Sequence, residues 1–152
     1  MLKSAAIVAI AVLSAVGAAG AVVAVDRNLG PRPAIIAKAA DGHFWARGEA
    51  GGQAVRFLVD TGATTVSLTR ADAARLGVAP AASEFTEVVA TAAGPARAAR
   101  VRLASLTVGS ARVEDVPALV LEDGLHASLL GMSYLGRLER IEATREALIL
   151  RP

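Results

Sequence analysis

Cysteine is absent from this 152-residue chain, which excludes disulfide bridges, thiolate metal sites and a cysteine nucleophile together. Aromatic residues are scarce, with one Trp, one Tyr and three Phe, and the charges lie singly along the chain. A balance of 16 basic against 14 acidic residues, net +2, thus comes without the basic stripe and stacking surface that a nucleic-acid binder needs. Nucleic acid is excluded as a partner despite a pI of about 9.7. Two isolated histidines, His43 and His126, lack ligand spacing and make no metal site; neither a metal nor another cofactor is expected. No repeat of solenoid or propeller period is present. The length allows one domain with a modest core and leaves no room for two full catalytic lobes.

One long apolar run is present, at the N-terminus. After Lys3 the chain is uncharged for 22 residues, 4–25, before Asp26 and Arg27. That matches the roughly 20 residues of a spanning helix. Residues 1–25 are therefore expected to form a membrane anchor, the competing reading being a signal peptide cut near Ala19, Gly20 and Ala21. The run outlasts the ~7–15-residue core of a usual signal peptide, which favours the anchor. In either case Lys3 stays cytoplasmic and the remainder is exported. In a bacterium the domain would lie in the periplasm, held to the inner membrane by a single pass or released after cleavage. Residues 26–40, with Gly30, Pro31 and Pro33 and no sustained periodicity, read as a tether, and the folded unit is expected over residues 41–152.

Within that unit, Phe57, Leu58 and Val59 run into Asp60; Thr61, Gly62 and Ala63 are small, and the β-formers Thr64, Thr65 and Val66 follow. This is a strand, a tight loop and a second strand. A carboxyl on such a loop is a candidate for acid–base chemistry, because desolvation and nearby like charge raise a carboxyl's affinity for a proton. An ordinary Asp-Thr-Gly turn is the plain alternative. Upstream, two alternating segments, residues 43–49 and 53–59, flank Ala50, Gly51 and Gly52, the signature of a hairpin that delivers Asp60. Its second strand turns Val55, Phe57 and Val59 to one face, towards a core that Phe44 and Trp45 are expected to join. Downstream, Thr69 caps a short helix over residues 70–76 that Gly77 ends. Strands are expected over residues 85–90, 98–106 and 111–121, with turns through Ala93, Gly94 and Pro95 and through Gly109. Leu129, Leu130 and Gly131 then precede a helix over residues 132–138 and two short strands, 140–143 and 147–150.

Asp60, Thr61 and Gly62 behind an apolar triplet resemble the Asp-Thr-Gly signature of aspartic proteases, and Leu129, Leu130 and Gly131 resemble the apolar pair and glycine that brace that family's loop. The order of hairpin, Asp-Thr-Gly, helix, second hairpin, apolar-apolar-Gly, helix and terminal strand is similar to a retropepsin. More closely it resembles the bacterial membrane-anchored retropepsin-like proteases, through Gly42, His43 and Phe44 and through residues 130–135. The resemblance spans residues 41–150. It implies an all-β, single-lobe acid-protease barrel with one or two short helices, preceded by a transmembrane helix. It also implies a homodimeric aspartic endopeptidase acting on a polypeptide, with catalytic Asp60 from each subunit.

By the same resemblance Thr61 would bond across the dimer axis, Gly62 would allow the two carboxyls to approach, with the small Ala63 supporting the loop, and the Thr64 hydroxyl would hold the outer Asp60 oxygen. Leu130 and Gly131 would pack beneath. Thr91, Ala92, Ala93 and Gly94 would form a flap over substrate, and Val66 and Leu68 would line an apolar cleft. Ala93 departs from the family, where a polar Asn would precede the flap glycine.

The chemistry itself asks for a base and an acid at one site. Two carboxyls about 3 Å apart share one proton and supply both. A single Asp-Thr-Gly therefore requires two chains. Gly131, Met132, Ser133, Tyr134 and Leu135 approach a Gly-x-Ser-x-Gly elbow but end in Leu135, so a serine hydrolase is disfavoured. The other function class left open is a non-catalytic dimerisation or peptide-binding module on the outer face of the membrane. An intact Asp60, Thr61, Gly62 and Thr64 argues against it, since a buried carboxyl pair costs stability that a scaffold need not bear.

Overall fold

The computed structural model describes residues 32–152. The expected membrane segment, residues 1–25, and the start of the expected tether lie outside them. Among the described residues no helix is long and apolar enough to cross a membrane.

Alternating side chains build the hairpin that carries Asp60. Strands β2 (Trp45–Ala50) and β3 (Gln53–Val59) pair antiparallel from Ala50↔Gln53 to Trp45↔Leu58. Gly51 and Gly52 sit at φ +57° and +76°, the two left-handed positions that a two-residue turn needs to match the twist of its strands. Val55 and Phe57 enter the core, and Val59 and Phe44 pack at its margin. Trp45 stays at the rim instead of joining them, half-buried.

Beyond the Asp60 loop come β4 (Val66–Leu68) and α1 (Arg70–Arg75). The Thr69 hydroxyl caps α1 by accepting from Asp72 N–H at 3.1 Å, and Ala73 and Leu76 are buried on one face as expected. A 3₁₀ turn at Ala82–Glu84 delays the next strand, β5 (Glu87–Thr91). It pairs with β6 (Gly94–Val108) around a tip of only Ala92 and Ala93, tighter than the expected turn through Pro95. Pro95 is tolerated inside β6 because β5 is its sole neighbour there: pairing with β7 (Ala111–Leu121) begins only at Ala98↔Leu121.

The rest comprises β8 (Ser128–Leu130), α2 (Met132–Leu135), β9 (Arg140–Ala143) and β10 (Ala147–Arg151). Helix α2 is a single turn, closed at Gly136, and stops short of the expected Leu138.

Seven strands follow the order β2-β3-β8-β4-β7-β6-β5, and pairing of Gly48 with Val108 between β2 and β6 closes the first six into a barrel. Two pairs are parallel, β3 with β8 and β4 with β7. Among the described residues the fold is all-β with two short helices, as expected for the domain.

Residues 34–37 correct the expected boundary. They are not tether but a strand, β1 (Ala34–Ala37), paired along its length with β10 in a second sheet ordered β1-β10-β9. Ala34 and Ile36 are buried in the main core, so the folded unit begins before Asp41.

Tyr134 anchors α2 to the barrel. It is fully buried and its hydroxyl donates to Ala111 O at 2.7 Å. Burial pushes its pKa up to about 12 from 10.0. Between those values the unfolded chain loses the proton and the folded chain keeps it, so stability falls as pH rises above 10. At roughly 1.4 kcal/mol per pH unit the loss should approach about 2–3 kcal/mol near pH 12. Urea titrations from pH 8 to 12 should show this decline in the native chain and a flatter profile in Tyr134→Phe.

Candidate active site

Asp60 leaves the end of β3 at the point where that strand lies parallel to β8. Its N–H donates to Leu130 O at 3.1 Å, and Met132 N–H donates to Ala63 O at 2.8 Å, so both sides of the loop are fixed to the Leu130-Gly131-Met132 segment. The loop itself closes through Ala63 N–H to Asp60 O at 3.3 Å. The Asp60 carboxylate accepts from Gly62 N–H at Oδ1, 2.8 Å. A Cβ at Gly62 would lie 3.1 Å from that oxygen, so glycine leaves room for the carboxylate. Thr61, Gly62 and Thr64 are exposed, and Asp60 is half-buried. No hydrogen bond joins the Thr64 hydroxyl to Asp60 within this chain; Asp60 takes its contact from Gly62 instead.

Ser133 supports this loop from below. Its Oγ accepts from Val66 N–H at 2.8 Å and donates to Pro117 O at 2.7 Å, tying β4, β7 and α2 together. A hydroxyl engaged in both directions is a brace, which removes the serine-nucleophile reading. Ser133→Ala leaves both backbone groups unpaired and should cost about 2–3 kcal/mol, readable as a lower denaturation midpoint with unchanged m-value. Ser128 plays a similar part on the other side, accepting from Thr69 N–H at 3.1 Å and donating to Asp72 Oδ2 at 2.7 Å.

Asp60 opens into a cleft of about 970 Å³. One wall is the loop, with Gly62, Ala63 and Thr64; another is the second hairpin, with Val89, Thr91, Ala92 and Ala93. Gly94 is half-buried and does not line it. The expected lining by Val66 and Leu68 is corrected: both are fully buried in the core, and side-chain alternation turns Ser67 of β4 into the cleft. The apolar floor comes instead from Leu58, Leu119, Leu121, Leu125 and Leu129.

Besides Ser67 and these leucines, His126 and Trp45 also line the cleft without having been assigned to it from sequence. His126, on the loop between β7 and β8, is its one titratable side chain besides Asp60 among the described residues. Nothing local in the sequence marks it; only the parallel placement of β8 beside β3 brings it there. Trp45 stands at the rim, its indole N–H donating to Asp41 Oδ2 at 2.8 Å. The Asp41 carboxyl is held below its usual pKa, first by the His43 backbone N–H and then by this indole. Among the described residues no group of three or more His, Asp or Glu is placed to hold a metal ion.

A carboxylate on a rigid loop, in a largely apolar cleft with a hairpin for one wall, is suited to acid–base chemistry on an extended chain. Comparison with known proteins agrees. Residues 46–137 match the family described as "gag-polyprotein putative aspartyl protease". Among curated proteins the chain is 37% identical over 123 residues to an uncharacterised protein encoded in the cobV 5′ region of a Sinorhizobium species, covering 80% of this chain and 53% of that one. It is 35% identical over 116 residues to an uncharacterised protein of Rickettsia prowazekii (strain Madrid E), covering 76% and 50% respectively. The chain thus spans about half the length of these curated relatives. A crystal structure of a retropepsin-like aspartic protease from Rickettsia conorii superposes with a TM-score of 0.68 at 34% identity, covering 78% of this chain and 89% of that one. A match across more than half of the chain and a solved relative spanned almost throughout show that this protein belongs to the retropepsin-like aspartic protease family.

Proposed function

We propose that the protein is an aspartic endopeptidase acting as a homodimer, in which Asp60 of each chain contributes one carboxyl to a shared site. The observation that carries this reading is the Asp60 loop itself: one Asp-Thr-Gly per chain, fixed by Leu130 and Met132 beneath and exposed at Thr61 and Gly62. Paired about a two-fold axis, two such loops bring their carboxyls within about 3 Å, where they hold one proton between them. The ionised carboxyl takes a proton from water as that water attacks the peptide carbonyl carbon. The protonated one gives its proton to the carbonyl oxygen. Collapse of the tetrahedral diol, with a proton passed to the nitrogen, breaks the C–N bond and returns the pair to its starting state. Thr61 bonds across the axis in this assembly, and Thr64 takes up the outer Asp60 oxygen.

Substrate is an extended segment of a polypeptide, held along its backbone by sheet-like hydrogen bonds beneath the hairpin tip of Thr91, Ala92, Ala93 and Gly94. The apolar leucines of the cleft favour apolar side chains beside the scissile bond. Residues 4–25, uncharged throughout, anchor the enzyme as a single pass with its domain on the outer side, in the periplasm of a bacterium. Confinement to that membrane raises the effective concentration of envelope and membrane-protein substrates. The test is cleavage of an unbiased peptide library read by mass spectrometry, native chain beside Asp60→Asn. Products that need Asp60 support the proposal; a product set unchanged by the substitution overturns it.

A further inference from the structure

Next to the cleft, across Trp45, lies a second pocket of about 370 Å³ whose charged lining is all of one sign: Arg47, Arg56 and Arg75. Two of the three are direct partners across the β2–β3 hairpin, Arg47↔Arg56, so their side chains share one face. Like charges placed directly opposite one another destabilise a hairpin. The compensation within the chain is partial. Arg47 Nε lies 3.7 Å from Glu49 Oε1 with both side chains largely exposed, and Arg75 Nη1 lies 3.2 Å from Asp72 Oδ1. The other Asp72 oxygen is taken by Ser128. Arg56 has no carboxylate partner among the described residues and stacks on the Trp45 ring at 4.0 Å from its centroid. That stack, with the Trp45 indole fixed by Asp41, orients a flat guanidinium and leaves its N–H edges unspent.

We infer that this pocket is a subsite for an acidic side chain of the polypeptide substrate, several residues from the scissile bond. Trp45 lines both pockets, so a chain that leaves the cleft over its rim meets the arginines directly. A carboxylate there is bonded bidentately by Arg56 and relieves its repulsion with Arg47. The enzyme then reads two features at once, apolar residues at the cleaved bond and a carboxylate beyond it. The assignment rests on the peptidase reading of the cleft.

The test uses the full chain and two peptides that share one cleavable apolar segment and differ in carrying Glu-Glu or Gln-Gln three to five residues away, on either side. At low salt the Glu peptide should be cleaved with about tenfold or greater preference in kcat/KM, chiefly through KM, as charge-assisted bonds allow. The preference should fall towards one in Arg47→Gln/Arg56→Gln and in ~1 M salt, where the Debye length is about 3 Å. Binding is read separately from cleavage. Trp45 is the chain's sole tryptophan, so its fluorescence in Asp60→Asn should report tighter binding of the Glu peptide by a similar factor. Equal handling of the two peptides, or a preference that survives the double substitution, overturns the subsite. So does a Trp45 response to phosphatidylglycerol vesicles with none to either peptide, which would make the pocket a lipid contact. Glu-selective binding without any cleavage by the native chain would sustain the subsite and overturn the peptidase reading; cleavage without Glu selectivity would do the reverse.

Discussion

Asp60→Asn should abolish peptide hydrolysis while the fold stays intact. In the proposed dimer the substitution removes both carboxyls at once, leaving neither a base for water nor an acid for the carbonyl oxygen. General acid–base terms are worth about 10²–10⁴-fold each, so a fall in kcat/KM of at least ~10³ is expected. The amide oxygen of Asn can still accept from Gly62 N–H, and the loop keeps its bonds to Leu130 and Met132, so the domain should unfold at the native temperature or slightly above it. A higher melting temperature would have a direct cause, because two carboxyls at a shared axis repel and are costly to desolvate. Kinetics and thermal unfolding of the same preparation separate this from a variant that merely fails to fold.

Gly131→Ala should be nearly as damaging by a different route. The backbone at Gly131, φ −94° and ψ −174°, is one any residue can adopt, so conformational freedom is not why glycine stands there. Space is. A Cβ would lie 2.2 Å from Thr65 O, 2.6 Å from Thr65 C and 2.7 Å from Ala63 O, all of them backbone atoms of the Asp60 loop and its exit. The loop must move away, and with it the bonds Met132 N–H to Ala63 O and Asp60 N–H to Leu130 O. Overpacking costs typically about 1–3 kcal/mol, and a clash with three main-chain atoms belongs at or above the top of that range. A displacement of ~1 Å at the reacting group costs about 10²-fold in rate. Gly131→Ala is therefore expected to unfold at lower denaturant and, where still folded, to lose activity by at least that factor. Native stability and rate in this variant would show that Leu130 and Gly131 do not position Asp60.

The parts of this molecule that could be read from the sequence are those fixed by neighbours along the chain. Gly51 and Gly52 announce a hairpin by their backbone alone, Thr69 announces a helix by its hydroxyl, and the approach of Phe57, Leu58 and Val59 to Asp60 announces a buried strand entering a loop. Their geometry agrees with the expectation because nothing distant competes with it. The misreadings concern residues whose partners are remote. Ala34, Ile35, Ile36 and Ala37 are too short a run beside Pro33 to declare a strand, and only β10, more than a hundred residues on, makes them one. Val66 and Leu68 are expected to line the cleft, and Ser67 between them carries no expected role. Once β4 is set between β7 and β8, alternation reverses the assignment, with the apolar pair in the core and the serine in the cleft. Ser133 is likewise explained only by what it joins, Val66 N–H and Pro117 O, 67 and 16 residues away. His126 acquires meaning from the cleft, and the opposed Arg47 and Arg56 from the pocket beside it across Trp45.

The central claim, one active site built from Asp60 of two chains, is tested most directly by mixing. Native chain and Asp60→Asn chain are unfolded together in varying ratio at constant total concentration, refolded so that subunits pair at random, and assayed for peptide cleavage. A site that needs both carboxyls loses activity as the square of the native fraction, so an equal mixture should retain about a quarter of the native rate, since only one random pair in four is fully native. Activity that falls in direct proportion, with half remaining in the equal mixture, would mean that each chain cleaves on its own and would contradict the shared site.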